Sequence, residues 1–504
     1  MTFKKHSTAI FAALLAALVL AVYWRTTGFE LLTWDDNIYI TKNPLVTGGL
    51  RWESVKTSFS SGYGGHWIPL TWLSYMADVS FFGPEPGVFH RTNVILYLAS
   101  VILLFLFLRS ATGSTRRSFF AVALFAMHPL RVESVAWVTE RKDVLSGLFF
   151  ILALWSYLLY TRTKTPGWYA TLIISAVLGI LSKPILVVLP VALLLLDFWP
   201  LGRFTTEDGK KKLQGFKTLL LEKAPLFALS FSFVAITLYN QLINNPKVHE
   251  YQFSYGLANA ATAYWKYLGR TFFPNDLILQ YDTPTSSAGA LAAIVSFASL
   301  VAITFLAFRF RRRAPEGAFG WFWFLLLLFP NSGIVPAGMQ SFSDRFTYLP
   351  HIGLAIAFVW GTAHLARRVR LSEKNLLLPG AALVAVLAVA SVTFTGYWKN
   401  TYTLFGHIDE IYGGRNALAL NCLATASLYG NDPATALSQL DRLRQVEPRF
   451  PSLNHNRGYA LYKLGRYDEA LEALRLELAA NPQNAAVRSM ISTVMRARAE
   501  KPGR

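Results

Sequence analysis

The feature that most limits how this chain can fold is an alternation: long apolar stretches are separated by connections, and basic residues gather in every second connection. A backbone inside lipid must satisfy its own hydrogen bonds, so such stretches fold as membrane helices. They run over 9–24, 94–108, 118–130, 144–160, 168–182, 185–199, 223–243, 289–308, 318–330, 350–366 and 376–397. With their flanks included, they predict about eleven crossings of roughly 20 residues each. Lys4 and Lys5 precede the first stretch, no small-x-small cleavage site follows it, and it reads as the first crossing. Lys183-Pro184 must form the turn within 168–199. With the amino terminus inside, the cytoplasmic connections are 109–117, 161–167, 201–221, 309–317 and 367–375. They carry Arg116-Arg117, Arg162 and Lys164, Lys210-Lys211-Lys212, Arg311-Arg312-Arg313, and Arg367-Arg368 with Arg370. Each is basic, as the positive-inside bias requires, and an odd number of crossings leaves the carboxyl-terminal region outside.

The same distribution decides what the net charge of +19 means. A nucleic-acid binder would concentrate its charge on one surface, whereas here it lies in flanks that orient helices and meet anionic lipid. A chain that is 53% hydrophobic and 15% charged, with 37 Phe and 14 Trp, is a polytopic membrane protein. Cys422 is the only cysteine, which excludes an intramolecular disulfide and a Cys-rich zinc or iron–sulfur site.

The outer connections carry both signs of charge. The first, 25–92, opens with Trp34-Asp35-Asp36-Asn37 and continues through His66-Trp67, Asp78 and His90-Arg91. Its mixture of aromatics and turn residues predicts short interfacial helices. Asp35 and Asp36 follow directly on a membrane helix, where a carboxylate can take a proton from an alcohol; the bland alternative is an interfacial turn. On an extended segment the two side chains point apart, so one is a base and the other a structural acceptor or substrate clamp. The second outer connection holds His128, Arg131, Glu133, Glu140, Arg141, Lys142 and Asp143. A helix over 132–143 would place Glu133 and Glu140 about two turns apart on a similar face. Ion pairing explains such a cluster without function; phosphate binding by Arg131, Arg141 or Lys142 is the alternative. Lys183, Lys266, Arg270 and Arg345 stand at other helix ends, where cations also serve as interface anchors. His66, His90, His128 and His351 form no H-x-x-x-H pair. No metal is obligatory, and oxygen ligation at Asp35 or Asp36 together with a phosphate is the arrangement a divalent ion would use. No P-loop or dinucleotide fingerprint is present, which speaks against a nucleotide-driven pump.

Beyond the last apolar stretch two units of 34 residues align, 417–450 and 451–484, pairing Ala436 with Ala470, Leu440 with Leu474 and Pro448 with Pro482. This is tetratricopeptide-repeat spacing. The second unit has Gly458 and Gly465 where the first has Ala424 and Asn431, and 485–496 is expected to cap the array. The division expected is 1–400 as the membrane domain and 401–504 as the repeat domain.

Together, Trp34-Asp35-Asp36, Gly65-His66-Trp67-x-Pro69-Leu70-Thr71-Trp72, Phe89-His90-x-x-Asn93, the run 128–137, Glu140-Arg141-Lys142-Asp143, Ser182-Lys183-Pro184 and Asp344-Arg345-Phe346-x-Tyr348 resemble the transmembrane and tetratricopeptide-repeat protein O-mannosyltransferases and their bacterial relatives. The resemblance implies an all-α C-type glycosyltransferase fold in a bacterial inner membrane, with active site and repeats outside the cytoplasm. It implies an inverting transfer of a hexose, expected to be mannose, from a polyprenyl-phosphate carrier to a hydroxyl. Protein Ser/Thr is the first expectation for that hydroxyl, and a glycolipid or cell-envelope glycan is the alternative. Carried over residue by residue, it makes Asp35 or Asp36 the base and Glu133 the second acidic position. It implies carrier-phosphate or substrate contacts at Arg131, Arg141, Lys142, Lys183, Arg345, His66, Trp67, His90 and His128. The expected partners are the lipid-linked sugar, its acceptor, membrane lipid and a protein at the repeats, with no nucleic acid. A transporter or flippase would need polar groups near mid-membrane, where Asp197 is the nearest exception, and a repeat-bearing scaffold would need none of this chemistry.

Overall fold

The computed structural model describes residues 2–64, 66–204, 212–244, 253–279, 281, 289–334 and 342–500. Gly65, Lys210, Lys211 and Asp282 lie outside them. Regular structure among the described residues is helical, apart from one antiparallel bridge between Tyr63 and His66. The chain divides into two compact units, Met1–Gly28 with Asn43–Thr395, and Phe29–Lys42 with Gly396–Arg504.

The first unit is a multi-pass membrane domain. His6–Gly28, Pro86–Thr112, Val138–Thr163, Leu291–Phe310 and Glu373–Tyr397 are long and apolar enough to cross, which makes 5 spans, or up to 7 if two bent helix pairs each count as one. The expectation of about eleven is not met on length and composition. Pro166–Ser182 has 17 residues and Pro315–Leu328 has 14, both short of a full crossing. Proline supplies part of the reason: it opens helices at Pro69, Pro86, Pro166, Pro315 and Pro350, where its missing N–H costs nothing. It also breaks the stretch read as 118–130, because Thr115–Ala126 and Pro129–Ala136 meet at 65°. His128 caps that break by accepting from the Leu130 amide at 3.2 Å. The helix anticipated over 132–143 is likewise divided into Val132–Ala136, a 3-10 turn Val138–Glu140, and Arg141–Thr163.

Small residues let helices of this unit touch. A Cβ on Gly320 would lie 2.3 Å from the Gly353 carbonyl oxygen, and one on Gly353 would lie 2.6 Å from that of Gly320, so Pro315–Leu328 and Pro350–Arg368 cross backbone to backbone. Asp197, the exception among the charges, is fully buried and bonded to Lys223 Nζ at 2.6 Å and the Tyr157 hydroxyl at 2.6 Å. Arg203 joins it to Glu222 at the second helix bend. It belongs to a closed network that ties the ends of several helices together.

The second unit contains the repeats. Ala417–Tyr429 pairs with Pro433–Val446, Leu453–Lys463 pairs with Tyr467–Ala480, and Ala485–Glu500 covers the end through buried Val487 and Val494. Gly458 approaches Leu474 so closely that a Cβ would meet its side chain at 2.6 Å. The turn of the second repeat needs positive φ, which Gly465 takes at 76°, and Asn431 takes the same role in the first at 58°. Asparagine tolerates that region better than other side chains, so this departure from glycine preserves the turn. The segment Phe29–Lys42 packs within this unit: the Glu30 amide donates to the Lys399 carbonyl at 3.0 Å, the Thr33 amide to Thr401 Oγ1 at 2.9 Å, and Lys42 Nζ to the Tyr429 hydroxyl at 2.8 Å.

Candidate active site

Within the membrane unit, the broken stretch after His128 turns its acidic residues toward Arg345. Glu133, at the start of Val132–Ala136, accepts from the Arg345 amide at 2.9 Å and from Ser343 Oγ at 3.1 Å, and its carboxylate also holds the Arg345 guanidinium. Arg345 Nε reaches Glu140 Oε1 at 3.0 Å. Glu133 and Glu140 therefore meet through a shared arginine, where a continuous helix would have kept them about two turns apart. Glu140 also holds Lys142 Nζ at 2.9 Å, with Lys183 Nζ at 3.8 Å. Lys183 pairs with Asp143, whose other oxygen accepts from Ser134 Oγ at 3.1 Å. Lys183 occupies its position because Pro184 forces an extended residue (φ −156°, ψ 125°) between Pro166–Ser182 and the next helical turn.

Burial orders this cluster. The side chains of Lys142, Lys183 and Arg345 keep 11%, 13% and 11% of their surface, while those of Glu133, Glu140 and Asp143 keep 5%, 1% and 5%. The open edge is thus cationic and the carboxylates stand behind it. Such an edge can meet an anion without rearranging, because its cations are already oriented.

His66 is exposed and lies near this edge. Partial desolvation, followed by the charge of Lys142 and opposed by Glu140, lowers its imidazole to about 4. It is neutral at physiological pH and can donate and accept hydrogen bonds there.

Other anticipated contact residues lie elsewhere. Arg141 is fully buried, with donors on Asn93 Oδ1 (2.8 Å), the Phe89 carbonyl (2.8 Å), the Ser74 carbonyl (3.1 Å) and Asp78 Oδ2 (2.6 Å). It pins helix Pro69–Phe82 to Pro86–Thr112 from within. Arg131 is also fully buried, bonded to Thr347 Oγ1 and placed over the rings of Phe125 and Tyr348 at 5.3 and 5.4 Å. His90 is buried. His128 is bonded to the Thr271 carbonyl at 2.9 Å and lies edge-on to His351. Trp67 donates to the Phe59 carbonyl at 3.0 Å and stacks on Phe233. Among the described residues no three His, Cys, Asp or Glu side chains gather as a metal site.

Sequence reasoning passed over Asp344, which lies buried beside this cluster and takes a hydrogen bond from the Tyr281 hydroxyl at 2.6 Å. Burial, and then the charge of Glu133, raise its carboxyl to about 7. It missed Asn93 and Asp78 as partners of Arg141 as well. The signal for the first was present: Phe89 and Asn93 stand one helical turn apart, and both receive the guanidinium.

In the second unit, Asp35 and Asp36 sit in a helical turn that runs into a π-helical turn, Asn37–Thr41. The extended segment assumed above is not formed; Asp36 has φ −60° and ψ −29°. Asp36 is buried and accepts from the Leu32 amide at 2.9 Å, closing the turn, whereas Asp35 is half-buried. Trp34 packs edge-on to Phe405, at 6.3 Å between ring centroids.

Residues 85–221 match the family described as dolichyl-phosphate-mannose-protein mannosyltransferase, and 451–484 match a tetratricopeptide repeat. The first match includes Glu133, Glu140, Lys142, Asp143 and Lys183, while Arg345 comes from outside it. The chain is similar to Protein O-mannosyl-transferase TMTC1 of Mus musculus, 34% identical over 155 residues, covering 29% of this chain and 16% of that protein. It is similar to Protein O-mannosyl-transferase Tmtc2 of Drosophila melanogaster, 32% identical over 182 residues, covering 33% of this chain and 19% of that protein. The aligned region thus spans under a fifth of either relative. The solved structure of ArnT from Cupriavidus metallidurans bound to undecaprenyl phosphate aligns over 92% of this chain and 79% of that one, at 14% identity and a TM-score of 0.37.

Proposed function

We propose, from the chain's kinship with the protein O-mannosyl-transferases, that it is a C-type glycosyltransferase that moves a sugar from a polyprenyl-phosphate carrier to a hydroxyl of a glycolipid or cell-envelope glycan. The observation that carries this reading is the cationic edge of Lys142, Lys183 and Arg345 with Glu133, Glu140 and Asp143 held behind it. That arrangement suits a phosphate that gains charge as its bond to the sugar breaks. His66 beside the edge suits a neutral hydrogen bond to the same group.

In this reading Asp35 is the base and Asp36 its support, because Asp36 is buried on the Leu32 amide while Asp35 is the more accessible of the two. The acceptor hydroxyl gives its proton to Asp35 as its oxygen attacks the anomeric carbon. The bond from that carbon to the phosphate oxygen breaks from the opposite face, which inverts the centre. The departing phosphate keeps the electron pair. No divalent ion is required for a monophosphate that leaves in this way.

The finer architecture belongs to the same proposal: about eleven crossings in a bacterial inner membrane, the shorter helices crossing with their flanks, amino terminus inside, catalytic loops and repeats outside. Transfer of mannose to protein Ser/Thr is the second reading. It is favoured by the relatives' names and by a repeat unit suited to protein contacts. Against it, the alignment covers only about a third of the chain, and the repeats offer a short surface for selecting peptide.

The test is in vitro transfer from defined polyprenyl-phosphate sugars to glycolipid, glycan and protein acceptors, read by mass spectrometry of the products. Asp35→Asn is expected to lower turnover by at least about 100-fold, the scale of general-base loss. Normal turnover in Asp35→Asn, Asp36→Asn and the double variant would sink the catalytic assignment.

A further inference from the structure

Lys142, Lys183 and Arg345 each have a carboxylate within ion-pair distance; two other cations have none among the described residues. Lys266 and Arg270 stand one turn apart on helix Phe253–Phe272, and neither makes an ion pair with a described residue. We propose that these two residues form a binding site for the phosphate of an anionic membrane-lipid headgroup, separate from the edge at Lys142 and Lys183.

Like charges four residues apart on a helix repel, so the pair opposes helix stability unless an anion joins it. A basic residue in a last turn favours the helix dipole, which accounts for Arg270 but not for Lys266, farther from the end. Partial desolvation, and then the charge of Arg270, lower the Lys266 ammonium from its usual value, as expected of a cation with no ion-pair partner among the described residues.

The surroundings say what kind of anion fits. Lys266 lies over the Phe342 ring at 5.6 Å and Arg270 over the Tyr281 ring at 5.1 Å, so both heads are held by aromatic faces. The same helix ends at Phe272, with Phe273 next in the chain, and these residues are 66% and 72% exposed. It packs on Gly289–Phe310, whose Leu291, Ile294, Val295 and Phe297 face outward. Exposed apolar rings beside paired cations are the composition of a membrane interface, where lipid phosphates lie. A free phosphate would have no use for those rings.

The patch also touches the candidate active site. Arg270 rests on Tyr281, and the Tyr281 hydroxyl bonds Asp344, next in the chain to Arg345. An anion on Arg270 would therefore be felt at Asp344.

The full-length protein, delipidated in detergent, would be titrated with phosphatidylglycerol, with phosphatidylcholine and with inorganic phosphate, and bound lipid counted by native mass spectrometry. Phosphatidylglycerol should bind preferentially, and Lys266→Gln or Arg270→Gln should each weaken it about fivefold, the worth of one basic residue at an anionic surface. Lys266→Arg should retain it, which separates loss of the site from loss of the fold, and the exposed repeat variant Arg475→Gln should behave as wild type. Equal retention of phosphatidylglycerol by wild type and the double Gln variant would overturn the proposal. So would competition by inorganic phosphate at the same concentration. Binding is read without sugar transfer, so neither result depends on the transferase reading.

Discussion

At the scale of single residues, the candidate site is a balance in which each cation needs its carboxylate. Glu140 is the side chain shared most widely, facing Lys142, Lys183 and Arg345. Glu140→Gln removes the common counter-charge and leaves three cations crowded together, which should lower stability by about 3 kcal/mol, the scale for uncoupling a buried ion pair. Thermal unfolding of the purified variant measures it. Asp344 supplies a pH signature of its own. Its carboxyl, raised to about 7 by burial and then by Glu133, keeps its proton in the folded state at pH values where the unfolded chain has lost it. Its contribution is fully present below the ordinary value near 3.8 and is lost as pH rises through about 7. Wild type should therefore lose stability relative to Asp344→Asn between those limits, and melts of both proteins at a series of pH values should diverge. Parallel curves would show that Asp344 does not hold a proton there.

At the scale of elements, stability rests on places where backbones touch. The crossing at Gly320 and Gly353 has no room for a methyl group, because a Cβ on either would lie within 2.6 Å of the other's carbonyl oxygen. Gly353→Ala should push Pro350–Arg368 away from Pro315–Leu328 at a cost of about 1–3 kcal/mol, the range for overpacking. A fall in melting temperature in detergent, with the helical content unchanged, is the expected record. In the second unit, Thr401 receives both the Thr33 amide and the Thr33 hydroxyl, at 2.9 and 3.1 Å. Thr401→Val keeps the shape and removes the acceptor, and should cost about 1–2 kcal/mol. Faster proteolysis within Phe29–Lys42 would report that loss, since this segment is held to its unit by a small number of such bonds.

At the scale of the whole molecule, the decisive experiment is topological. If the basic connections lie inside, a cysteine introduced at 113 should be shielded from a membrane-impermeant thiol reagent in intact cells, and one introduced at 400 should be labelled. Cys422 is buried and gives little background. The positions of charge and apolarity alone define an all-helical membrane chain, the side expected for each loop, and the repeats at 417–484, because lipid and helix periodicity act on each stretch separately. The match of Asn431 to Gly465 was legible for the same reason: a turn with positive φ is a local demand. The number of full crossings was not legible, because composition does not reveal that Pro129 bends one apolar stretch by 65°. Nor was the difference between Arg141, enclosed by Asp78 and Asn93, and Lys142, on the cationic edge one residue later. Adjacent positions in sequence acquire opposite surroundings when a helix starts between a buried face and an open one. The acidic pair shows both limits. Its sequence neighbours marked Asp35 and Asp36 as a unit, but only the folded turn, with the Leu32 amide bonded to Asp36, separates the half-buried carboxylate from the buried one. That bond joins residues four apart, while the neighbouring Thr33 is held by Thr401, a contact that spans most of the chain.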